Sequence, residues 1–126
     1  MPIHTEQHDA RRLLIATATD RVTLPELLSM LAAQSSDAAP GYSLLFDTRE
    51  ATVSLDVTDV KRLADEVVRR KHQQQERGPI AIVVKAAHVI ELSRTYKMLC
   101  EISGRDTAVQ TFRSRSDAET WLAGRA

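Results

Sequence analysis

Ile80-Ala81-Ile82-Val83-Val84 is the longest uninterrupted apolar run in the chain, and its reading decides the fold. Five residues fall far short of a membrane span. A strand with one wet face would alternate apolar and polar side chains, whereas here both rows are apolar. That is the pattern of a strand covered on both faces, as in a parallel sheet sandwiched between helices. Downstream, Val89, Leu92, Tyr96, Leu99 and Ser103 recur at helical spacing, and Gly104 can end that helix. Strand followed by helix makes the run one half of a crossover unit.

The same grammar extends upstream. Val57, Val60, Leu63, Ala64, Val67 and Val68 form an apolar helical stripe that Asp56 or Thr58 can cap. Before it, Tyr42 to Phe46 reads as a strand ending at Asp47. An earlier helix carries Leu24, Leu27, Leu28, Leu31 and Ala32, opened by a Thr23/Glu26 capping box with Pro25 in its first turn. It ends in the breaker-rich loop from Gln34 to Gly41. Arg12 to Thr19 reads as a strand returning from a polar edge strand, Ile3 to Gln7, through a turn at Asp9-Ala10. After the apolar run, Val109 to Phe112 is a last strand, and Ser116 with Glu119 forms a second capping box before Trp121 and Leu122.

The order β-β-α-β-α-β-α-β-α predicts an α/β domain. Its five-stranded mixed sheet is mainly parallel, with an antiparallel N-terminal hairpin edge and four helices. At 126 residues it is read as one domain spanning residues 1–126. Lys+Arg and Asp+Glu both number 17, so there is no basic excess for counterion-releasing nucleic-acid binding. Aromatics at 4% are too scarce for base-stacking platforms. One cysteine, Cys100, rules out an intrachain disulfide, and Met1 to Glu6 lacks the features of a signal peptide, so a cytoplasmic location is expected.

Ligands of open α/β sheets bind beyond the carboxyl ends of the parallel strands. That edge is expected to carry Asp20 and Arg21 after the second strand, Asp47, Thr48, Arg49 and Glu50 after the third, and Lys85 and His88 after the fourth. The set suits a small anionic or polar ligand; it also reads as ordinary solvated surface, with Asp47 as a loop acceptor and His88 as a helix-start residue. Asp47 with His88 is the one acid/base pair that an enzyme could use. His4 and His8 have metal-pair spacing only on a helix, and no third ligand follows. Cys100 reads as an inert thiol, and Arg69-Arg70-Lys71-His72 as a solvated helix end or, alternatively, a membrane-surface or partner patch. No cofactor is implied. A homodimer is compatible with the polar edge.

The chain also resembles the SpoIIAA-like proteins, the group that includes STAS domains and shares topology with Sec14-type carriers. The resemblance lies in Arg21-Val22-Thr23-Leu24-Pro25-Glu26-Leu27-Leu28, Leu44-Leu45-Phe46-Asp47-Thr48-Arg49, Leu92-Ser93-Arg94-Thr95-Tyr96 and Asp117-Ala118-Glu119-Thr120-Trp121-Leu122. It implies a non-enzymatic regulatory or protein-interaction module, or alternatively a small-molecule or lipid carrier; Arg94, inside the matching helix segment, is either an exposed surface charge or part of the partner or ligand surface. In the anti-sigma-factor antagonists of this group an Asp-Ser pair precedes the second crossover helix, and that Ser is phosphorylated. The corresponding stretch here, Val53-Ser54-Leu55-Asp56-Val57-Thr58, lacks the pair. Thr58 is the one hydroxyl that could replace it as phosphoacceptor, or it is simply an N-cap.

Overall fold

A computed structural model describes residues 3–34, 41–71, 78–102 and 108–125. The strands are β1 (Ile3–His8), β2 (Leu13–Val22), β3 (Ser43–Val53), β4 (Ile80–Val83) and β5 (Val109–Phe112). The helices are α1 (Leu24–Gln34), α2 (Val57–Lys71), α3 (Ala87–Ile102) and α4 (Arg115–Arg125). The sheet order is β1-β2-β3-β4-β5, with β1 antiparallel to β2 and every other pair parallel. A short 3-10 turn, Asp9–Arg11, closes the hairpin, and Arg12 leaves it in the left-handed region at φ 50°.

Side-chain alternation divides the core into two layers. Leu14, Ala16, Leu44, Phe46, Ile80 and Ile82 face one side, where they meet Leu27 and Met30 of α1, Val60 and Leu63 of α2, and Val89 and Tyr96 of α3. Leu13, Ile15, Leu45, Ala81 and Val83 face the other, where Ala118 and Leu122 of α4 cover them, flanked by Phe112 and Trp121. The run Ile80–Val84 is buried throughout because both layers need it. Three crossovers between successive neighbouring strands carry α1, α2 and α3 to one face; α4, with no further strand to reach, folds to the other.

Two expectations about strand ends need correction. β3 does not stop at Phe46 with Asp47 as its terminus. It continues to Val53, and β2 continues to Val22, the two remaining paired from Thr19↔Glu50 to Val22↔Val53 after a register shift between Thr17 and Thr19. Asp20, Arg21, Thr48, Arg49 and Glu50 are therefore strand residues rather than loop residues. The cause lies at the far end, where Val22 and Val53 are buried in the layer under α1 to α3 and anchor the extension.

Helix caps differ in detail as well. Asp56, not Thr58, opens α2: its Oδ1 accepts from the Asp59 amide at 2.8 Å, and the Asp56 amide donates to Asp59 Oδ2 at 3.2 Å. This is a reciprocal capping box in which Asp takes both roles. The cap of α4 is Ser114 rather than Ser116, with its Oγ accepting from the Asp117 amide at 3.4 Å. At α1 the Thr23 hydroxyl meets the Glu26 carboxylate, and the Thr23 carbonyl accepts from Leu27. The Gln34–Gly41 loop lies largely outside the described residues. So do the C-terminal ends assigned to Gly104 and His72, and the side chains of Leu31, Val67, Val68, Arg69, Arg70, Lys71 and Cys100.

Candidate functional site

Adjacent parallel strands whose outgoing connections turn to opposite faces leave a crevice between their carboxyl ends. β4 and β5 are such a pair here, because β4 leads to α3 on one face and β5 to α4 on the other. The ladder carries the two strands to that point together. Val83 is paired with Phe112, and the Val84 amide donates to the Phe112 carbonyl at 2.8 Å. On the other side, Asp47 is paired with Val83, and the buried Thr48 hydroxyl donates to the Val83 carbonyl at 2.7 Å. Continued one or two residues, the same register sets Lys85 opposite Arg49, which lies within β3, and Arg113 opposite Val84, just past the ends of β4 and β5.

The crevice has a volume of about 470 Å³ and is lined by Arg49, Glu50, Val84, Lys85 and Arg113. Three cations and one carboxylate share it. Arg49 is already engaged. Its Nε and Nη2 donate to the two Asp47 carboxylate oxygens at 3.0 and 2.9 Å, and its backbone amide adds a third bond at 3.1 Å. Burial pushes the Asp47 carboxyl upwards, but the Arg49 hydrogen bonds and the Arg49 and Arg115 charges outweigh it and hold the pKa below the usual range. Lys85 and Arg113 have no carboxylate partner among the described residues. Arg115, the first residue of α4, is drawn instead to Glu119 at 3.7 Å, and Glu119 also meets Arg11 at 3.8 Å.

Of the expected site residues, the structure brings Asp47, Arg49 and Lys85 to this edge, and adds Arg113. It sends the others elsewhere. His88 is the second residue of α3, and its Nε2 lies 3.0 Å from the Val53 carbonyl, tying the helix start to the end of β3. Six residues of strand, about 20 Å at roughly 3.3 Å per residue, separate Val53 from Asp47. The Asp47–His88 acid/base pair is therefore not formed: one member is bonded to Arg49 and the other to the backbone far along β3. Arg94 lies on the exposed side of α3, paired with Glu91 at 3.1 Å. Thr58 is exposed in the first turn of α2, between the carboxylates of Asp56 and Asp59 rather than at the cap.

His4, Glu6 and His8 lie on one face of β1, and both imidazoles approach the Glu6 carboxylate, at 3.7 and 3.3 Å. Both rings turn to the one carboxylate, and among the described residues no group of three or more His, Cys, Asp or Glu side chains is placed to hold a metal ion. Between the sheet and α1 to α3 lies a void of about 70 Å³ with a mostly apolar lining that includes Met30, Phe46, Leu63, Leu92 and Tyr96. Its volume is well below the roughly 300 Å³ at which small-molecule sites begin. Among the described residues, the void beneath α1 to α3 is therefore smaller than the chamber a carrier would need. No described helix is long and apolar enough to cross a membrane.

Arg113 is hidden in the sequence because it is a single cation between a short strand and a cap. Only the turn of α4 to the opposite face gives it a place beside Lys85. A scan against family models and a search of curated proteins gave no match to this sequence. Among solved structures the chain is similar to an uncharacterised protein of the DUF3478 family with a SpoIIAA-like fold from Shewanella loihica PV-4. The two are 19% identical, with a TM-score of 0.57 over 95% of this chain and 91% of that one. At that identity the likeness speaks to architecture alone, and with the strand order and two-layer core described above it shows that this chain has the SpoIIAA-like fold.

Proposed function

We propose that this domain is a non-enzymatic regulatory or interaction module that works through the carboxyl edge of its sheet. The observation that supports this reading is the switch-point crevice, in which Lys85 and Arg113 have no carboxylate partner among the described residues and stand beside a neutralised Asp47–Arg49 pair. Two exposed cations lining one crevice can recognise charge, and among the described residues beside them none is a nucleophile with an oriented base. The phosphorylation switch of the anti-sigma-factor antagonists is not part of the proposal. A phosphate on Thr58 would stand beside Asp56 and Asp59, where like charge opposes it.

Photo-crosslinking tests the reading. A crosslinking residue placed at Glu50, on the crevice, is compared with one at Lys61, exposed on α2. Specific products from position 50 alone are expected. Equal labelling from both positions, or a substrate turnover that the D47N variant abolishes, would overturn the proposal.

A further inference from the structure

The crevice has chemistry enough to name a ligand class, and this step rests on the reading that the carboxyl edge is the working surface. We infer that it binds a phosphorylated, hydroxyl-bearing small molecule, with the phosphate against Lys85 and Arg113 and a hydroxyl turned to Glu50.

Four observations converge on this assignment. First, Lys85 and Arg113, which have no carboxylate partner among the described residues, follow the ends of adjacent strands and line the same crevice. Second, α3 and α4 both begin within two residues of these cations, after Lys85 and Arg113 respectively. The positive ends of these 16- and 11-residue helix dipoles therefore stand within two residues of the cations, although no residue of either helix lines the crevice itself. Third, a volume of about 470 Å³ is far more than a lone phosphate ion fills and lies within the range of small-molecule sites. Fourth, Glu50 sets a limit on the ligand. A purely anionic body would be repelled by its carboxylate, whereas a hydroxyl can donate to it, so charge is wanted on one side and a donor on the other.

Asp47 has a defined part in this arrangement. By holding Arg49 in a bidentate pair it withdraws one cation from the crevice, leaving recognition to Lys85 and Arg113. Removing the Asp47 charge should therefore strengthen anion binding while weakening the local structure.

Isothermal titration calorimetry at low ionic strength provides the test, with ribose 5-phosphate as probe, ribose and inorganic phosphate as controls, and vesicles containing phosphatidic acid as a lipid-headgroup arm. Binding of ribose 5-phosphate that exceeds inorganic phosphate, no binding of ribose, and a loss of at least about tenfold in the K85A/R113A variant are expected. Circular dichroism confirms that the variant is folded; both replaced side chains line an open crevice, and a charge-reversed K85E variant gives an independent second measurement. Unchanged affinity in either variant would overturn the inference, as would binding to the vesicles without binding of the soluble phosphate. If the position-50 crosslinks persist while no phosphate compound binds, the ligand class alone fails. If both are lost, the carboxyl-edge reading fails with it.

Discussion

Gly78 sits where the chain re-enters the sheet ahead of β4, and replacing it with alanine is a test whose sign is fixed by geometry. A Cβ at this position would lie 2.6 Å from the carbonyl oxygens of both Gly41 and Tyr42 and 2.7 Å from the Tyr42 carbonyl carbon. All three obstacles are backbone, so no side chain can swing aside. Relief requires the β4 entry to move away from the start of β3, where the Leu44 amide donates to the Pro79 carbonyl at 2.9 Å. Overpacking of this kind costs about 1–3 kcal/mol, and the alanine gains back only ~0.4–1 kcal/mol by stiffening the unfolded chain. The difference centres on a net loss of about 1.3 kcal/mol and reaches about 2.6 kcal/mol. Gly124, in α4, is the matched control: nothing lies within 4 Å of a Cβ built there, and it has a helical backbone. G124A should gain up to about 1 kcal/mol, less where the helix end frays. Urea unfolding monitored by circular dichroism reads both, with the slope unchanged and the midpoints moving in opposite directions. A G78A protein as stable as the parent would refute the close approach of these two loops.

Other consequences follow from the same structure. Leu45 is fully buried in the layer under α4, so L45A should cost about 3–4 kcal/mol in chemical unfolding. Loss of the α2 cap in D56A should cost about 1 kcal/mol, read as a lower unfolding midpoint. Because the folded pKa of Asp47 is depressed, its contribution to stability is complete above its unfolded value near 4. It disappears as pH falls through the lower folded value. Thermal melts from pH 6 down to pH 2.5 should therefore decline less steeply for D47N than for the parent chain, with D47N the less stable protein at pH 6.

How far the sequence discloses this molecule depends on whether the deciding contacts are local. Ile80–Val84 is legible because a short strand with two apolar rows must be covered on both faces, and the helices are legible from stripes such as Val57 to Val68. The extension of β3 is not. Asp47-Thr48-Arg49-Glu50 has the composition of a loop, and only its pairing with Thr17 and Thr19, some 30 residues earlier, holds it in the sheet. The caps fail by a small margin for a similar reason: Ser114 and Ser116 both stand three residues before an acid, and the chain path selects the first. Asp47, Arg49 and Lys85 are legible from strand order alone. His88 is not, because a helix-start histidine gives no sign of which backbone it will reach, and here it reaches Val53.

That the β4–β5 crevice is an anion site is tested most directly by a two-dimensional amide NMR titration with ribose 5-phosphate, read residue by residue. Saturable shifts are expected at Glu50, Lys85, Arg113 and the first turns of α3 and α4, and they should be lost in K85A/R113A. Shifts centred instead on the first turn of α2 around Thr58, or on the void beneath α1 to α3, would contradict an anion site at this edge.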